Sequence, residues 1–161
     1  MDKKQLPVFG VGPIYVICCL ILTILGITLR NTSLLKNGNL SNLKFIAILI
    51  GVVFVLMGCL LWIKAVILQK IGDEIKKGKL VTTGIYSIVR NPIYSAFLLI
   101  FTGVLMIAHN IYLLLLPLIY YFALTFLMKQ TEEKWLLEKF GDRYVEYCKR
   151  VNRIIPWRKY K

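Results

Sequence analysis

The chain has 161 residues, 58% of them hydrophobic, and 21 Lys or Arg against 8 Asp or Glu give it a net charge of +13. At that length it is one domain, and because the charges are kept out of long apolar blocks there is no room for a separate soluble domain. The basic residues flank those blocks and no nucleic-acid motif accompanies them, so nucleic acid is excluded as the partner and anionic lipid is expected instead.

Taken in chain order, the apolar blocks predict four membrane spans at roughly Gly12 to Leu29, Leu43 to Ile63, Pro92 to Ala108 and Ile111 to Met128. About 20 apolar residues suffice to cross the hydrocarbon core. The first follows Lys3 and Lys4 as a secretion signal would, but its core is too long and Arg30-Asn31-Thr32 offers no small-residue cleavage site, so it reads as a retained helix. Only His109-Asn110 separates the third span from the fourth, which predicts a tight hairpin. Pro117 is expected to bend the fourth, since proline removes a backbone donor and clashes with the preceding turn.

Six Lys or Arg lie between Lys64 and Arg90, ten from Lys129 onward, and three in the 30–44 connection. The two rich segments are expected in the cytosol, which puts both termini there as well. A compact chain rich in Lys and Ile further suggests a prokaryotic plasma membrane. Cys18, Cys19 and Cys59 fall in spans and Cys148 in the tail, with one histidine and no C-x-x-C spacing, so no metal site is expected. His109 reads as an interfacial polar residue.

The segment before the third span is where chemistry concentrates. Gly84 permits a turn or a close backbone approach. Asn91-Pro92 is a helix start, with Asn as cap and Pro at the first position, next to Arg90. The free amides and positive dipole end there suit a carboxylate or phosphate, although a plain cap with Arg90 reaching for headgroups is an equally physical reading. Beyond the fourth span, Thr131 to Phe140 continues as a helix that Gly141 ends, with Asp142 capping the next. Tyr144, Tyr147 and Val151 then share a face. An antiparallel hairpin brings Glu132 and Glu133 level with Arg90, either for a ligand or for surface ion pairs with Lys129 or Lys134 worth about 0.3 to 0.5 kcal/mol.

Leu80 to Tyr86, Arg90-Asn91-Pro92-Ile93-Tyr94, Glu132-Glu133, Phe140-Gly141, Tyr144 and Tyr147, and Arg150-Val151 through Ile155-Pro156 together resemble the isoprenylcysteine carboxyl methyltransferase family. The likeness covers about residues 80 to 157, and related phospholipid N-methyltransferases share the layout. It implies an all-α, multi-pass membrane enzyme whose cytosolic helical tail completes a pocket for S-adenosyl-L-methionine. In that pocket Gly84, Tyr86, Arg90, Asn91, Pro92, Tyr94, Glu132, Glu133, Tyr144 and Tyr147 are expected to bind the cofactor. Arg150 or Arg153 is expected to hold a lipid-like or prenylated acceptor. The family's usual His stands here as Asn91, which keeps a donor and an acceptor but does not titrate near neutral pH. A scaffold with the same architecture is the rival class. An ion-coupled transporter fits poorly, because the interiors of the spans carry no charged residue.

Overall fold

A computed structural model describes residues 11–68 and 79–155; Lys3, Lys4 and Pro156, which enter the sequence reading, lie outside them. The chain is all-α. Its membrane helices are α1 (Gly12–Leu29), α2 (Lys44–Ile63), α3 (Pro92–Ile107) and α4 (Leu115–Gln130). They are followed by α5 (Glu132–Phe140) and α6 (Asp142–Arg150). Three runs are long and apolar enough to cross a bilayer, Gly12–Leu29, Lys44–Ile67 and Ile111–Phe140, and α3 is a shorter apolar helix. In the last run the charge-free stretch stops at Met128, and α5, which carries Glu132, Glu133, Lys134, Glu138 and Lys139, follows it outside the apolar block.

The pattern of exposure is that of a bundle in lipid. Large apolar side chains such as Phe45, Leu49, Leu56 and Leu60 of α2 face outward, whereas Tyr15, Tyr94, Ser95, Thr23 and Tyr120 are buried. With lipid outside, no hydrophobic force draws the helices together, so close packing and internal hydrogen bonds must do it. Gly51 of α2 and Gly103 of α3 supply the packing: a Cβ on either would sit 2.6 or 2.5 Å from the other's carbonyl oxygen. Gly58 repeats the approach seven residues on, 2.8 Å from the Ala96 carbonyl. The hydrogen bonds come from Tyr15 to the Tyr120 carbonyl (3.0 Å) and between Thr23 and Tyr120 (3.0 Å), joining α1 to α4.

α3 is the central helix, packed against α1, α2 and α4. Its 16 residues rise only about 24 Å, less than a hydrocarbon core. None of its residues is exposed, so its neighbours screen it from lipid along its length.

The 108–114 connection makes the expected hairpin, but by more than two polar residues. His109 takes φ 43, and a 3-10 turn (Ile111–Leu114) precedes α4. Pro117 therefore falls in the first turn of α4, where its missing donor had no intrahelical partner. Asn110, 1% exposed, donates to the Leu35 carbonyl (2.7 Å) and to Asn39 (3.1 Å) and accepts from the Tyr112 amide (3.0 Å). It ties the α1–α2 loop to the hairpin. Asn110→Ala should strand those buried groups, at about 1 to 3 kcal/mol, and lower the unfolding temperature in detergent while leaving ligand binding at the opposite end intact.

At that opposite end α1 and α3 start and α4 ends. Thr131, with φ −123 and ψ −87, breaks the helix between α4 and α5, so the tail helix is not continuous with the span. Gly141 (φ 53) turns α5 into α6 and is itself the N-cap, which moves Asp142 from the expected cap to the first helical residue. Tyr144, Tyr147 and Val151 do share the buried face, packed with Leu80, Leu136 and Phe140.

Candidate functional site

Gly84 sets the first wall. Its φ of 60 opens the 3-10 turn Gly84–Ser87, which buries Tyr86, and the Tyr86 carbonyl accepts from the Tyr147 hydroxyl at 2.6 Å. A left-handed residue there disfavours any side chain. After this turn Val89 bridges in parallel to Asn152, so the chain end lies alongside the start of α3.

That start is not an open amide cradle. The Asn91 amide and side-chain Nδ2 both donate to the Arg153 carbonyl, at 3.1 and 3.0 Å, and the Arg90 amide donates to Asn152 at 2.8 Å. Ser95 donates to the Ile154 carbonyl and, at 3.0 Å, to Asn91. Asn91 occupies the N-cap position without capping through its side chain, because its donors hold the tail instead. Pro92 is fully buried beneath it.

The tail so placed brings its charges to α5. Glu133 receives Arg153 through two nitrogens, at 2.6 and 2.8 Å, and lies 3.1 Å from Arg90. The fork-to-fork contact with Arg153 is the strong form of this pair. Arg90 also reaches the Cys148 sulfur and, at 3.2 Å, the Tyr144 hydroxyl, over whose ring its guanidinium sits at 5.8 Å. The side chains of Arg90 and Glu133 are 8% and 15% exposed. The Arg90 Nε is buried with no hydrogen-bond partner among the described residues. Among the described residues, two guanidiniums against one carboxylate leave this cluster one positive charge in excess.

Glu132 faces the other way. Its carboxylate accepts from the Tyr94 hydroxyl and, at 3.3 Å, from the Val11 amide at the start of α1. Tyr94 stacks edge-on against Tyr15 at 6.1 Å. No Lys or Arg among the described residues pairs with Glu132, whereas its neighbour in sequence holds two. Burial raises the Glu132 carboxyl above its ordinary value, against the lowering effect of the bonds from Tyr94 and Val11. Burial likewise raises the Tyr86 and Tyr147 phenols, and Tyr144 is raised first by burial and then by Glu133 despite Arg90. All three stay neutral hydroxyls near neutral pH. Arg153 is raised by its bonds to Glu133, with burial opposing.

Of the residues singled out from the sequence, Arg90, Glu133, Tyr144 and Arg153 thus form one cluster, and Tyr94 with Glu132 a second beside it. Gly84, Asn91 and Pro92 shape the first from behind. Arg150 is not brought in: it is 71% exposed and pairs with Glu146 one turn back, at 3.4 Å. Lys134 bonds to Gln130, and the ion pairs of Glu133 are with arginines distant in sequence rather than with its lysine neighbours. Cys148, Ser95 and Val11 were not anticipated. The i, i+4 relations of Tyr144 with Cys148 and of Asn91 with Ser95 were the available signals for the first two. Val11 had none, since only the packing of α1 brings it near.

The comparisons with known proteins bear on this region. Methanethiol S-methyltransferase 1 of Bradyrhizobium diazoefficiens is 34% identical over 90 residues, 55% of this chain and 30% of that protein. The matched stretch therefore covers less than a third of that relative's length. No solved structure matches. Residues 43–143 match the family model described as phospholipid methyltransferase. This match takes in α2, where the sequence reading had found no likeness, and ends just inside α6. With a bundle of lipid-facing helices and that match over more than half its length, the chain belongs to the phospholipid methyltransferase family.

Proposed function

We propose that the protein is an S-adenosyl-L-methionine-dependent methyltransferase of a plasma membrane, acting on an apolar, lipid-like acceptor, with the cluster end of the bundle in the cytosol. The observation that carries this reading is the excess positive charge at Arg90 and Arg153, with a buried Arg90 Nε–H left to donate. Such a site favours a carboxylate, and the amino-acid end of the cofactor carries one. Bound there, S-adenosylmethionine supplies an electrophilic methyl group on a sulfonium. Arg90 and Arg153 would hold the carboxylate end, while Glu133 fixes both arginines in place. The buried rings of Tyr86 and Tyr94 offer faces for a cation.

The family match and the methyltransferase relative support methyl transfer as the chemistry. The methanethiol named for that relative and the phospholipid named for the family widen the acceptor choice beyond the prenylated cysteine carboxyl that the sequence resemblance suggests. The basic residues after α2 and α4 support a cytosolic site on the membrane surface. Their charge suits anionic headgroups around it.

The protein purified in mild detergent should bind S-adenosylmethionine and S-adenosylhomocysteine saturably by calorimetry. It should also pass a labelled methyl group to one of three presented acceptors: a prenylcysteine, an aminophospholipid or an alkyl thiol. Folded protein that binds neither nucleoside would overturn the reading in favour of a scaffold.

A further inference from the structure

We propose that Glu132, supported by the Tyr94 hydroxyl, takes the proton of the methyl acceptor, so that the acceptor is a nucleophile that must lose a proton, a thiol or amine, rather than a carboxylate. This inference rests on the methyltransferase reading above. The two adjacent carboxylates have opposite surroundings. Glu133 is neutralised twice over by Arg90 and Arg153. Glu132 has only the Tyr94 hydroxyl and the Val11 amide, and no cation among the described residues. A partly buried carboxylate with no counter-charge beside it gains by accepting a proton.

Its position fits the task. Glu132 sits where α1 and α3 begin, against Tyr94, which belongs with Tyr15 to the apolar core of the bundle.

The cations point the same way. A carboxylate acceptor needs one to hold it. Among the described residues, Arg153 gives two nitrogens to Glu133, Arg90 is shared among Glu133, Tyr144 and Cys148, and Arg150 faces solvent beside Glu146. The one excess charge of the cluster is already assigned to the cofactor. A thiol or an alkylammonium needs no cation to hold it, but its proton needs a destination. In the proposed step the S–H bond of a thiol, or an N–H bond of an alkylammonium, breaks and the proton is held at Glu132. The electron pair left on the acceptor forms the bond to the methyl carbon, the pair of the broken carbon–sulfur bond remaining on the departing sulfur.

The test is a series of alkyl and aryl thiols of graded acidity, with an alkyl amine and a carboxylate of the same chain length, presented to wild type, Glu132→Gln and Tyr94→Phe. S-adenosylhomocysteine affinity is measured on all three. Glu132→Gln should bind S-adenosylhomocysteine as wild type does, yet lose about 100-fold in turnover on weakly acidic alkyl thiols or the amine. The loss should vanish for aryl thiols already ionised at the assay pH, a dependence that a merely structural role does not produce. Tyr94→Phe should show a smaller loss with the same dependence. Loss of S-adenosylhomocysteine binding in Glu132→Gln would make it a cofactor residue and overturn the proposal while leaving the methyltransferase reading intact. Equal losses across the thiol series, or a wild type that methylates only the carboxylate, would also overturn it. A folded wild type that fails to bind S-adenosylhomocysteine would take down both.

Discussion

Glu133→Gln is expected to do the most damage of any single change at the candidate site. It leaves the Arg90 and Arg153 guanidiniums, 8% and 22% exposed, facing each other without the carboxylate that joins them. Removing one partner of a buried ion pair costs about 3 to 5 kcal/mol, most of it the penalty of the charges left behind. The unfolding temperature in detergent should fall accordingly. Calorimetric affinity for S-adenosylhomocysteine should fall at least about 100-fold, since a loss of about 3 kcal/mol in positioning corresponds to that factor. Adding Arg153→Gln restores the charge balance, so the double variant should recover part of the stability without recovering binding. Their coupling is expected within about 0.5 to 3 kcal/mol, as for residues in direct contact. Normal binding by folded Glu133→Gln would remove Glu133 from the site.

A second large effect is expected far from that cluster. Gly103→Ala places a Cβ 2.5 Å from the Gly51 carbonyl oxygen and 2.9 Å from the Val55 amide, and both are backbone atoms that no rotamer change can move. The helices must part along the seam, at a cost of about 3 kcal/mol or more. Because that seam is what holds α2 to α3 in lipid, monodisperse protein should be largely lost on size exclusion. Gly51→Ala should do the same, and a Gly141→Ala control, with open space around it, should cost only the backbone strain of its positive φ. Wild-type behaviour of Gly103→Ala would mean that the helices are not packed at this distance.

Both outcomes depend on features of different visibility. The four spans follow from where charge is missing, and helices start and stop close to where the apolar blocks do, because a backbone in lipid must satisfy its own hydrogen bonds and a helix does so locally. The turn at Gly84 and the shared face of Tyr144, Tyr147 and Val151 were legible for the same reason, being matters of local φ and helical period. The place of Pro117 in its helix was less legible, since it depends on a helix start that the preceding 3-10 turn displaced.

Amino-acid order by itself determined an all-α membrane bundle, the placing of Glu132 and Glu133 at the level of Arg90, and a basic end suited to anions. Only the tertiary structure decided how those groups are shared: Glu133 to two arginines, Glu132 to Tyr94 and Val11, Asn91 to the tail, and Arg150 to solvent. The sequence places Glu132 and Glu133 side by side, yet adjacent helical residues project in directions about 100° apart, so each finds its own neighbours. Which neighbours those are depends on the path of residues 151–155 across the start of α3, a contact between segments some 60 residues apart that no local pattern encodes.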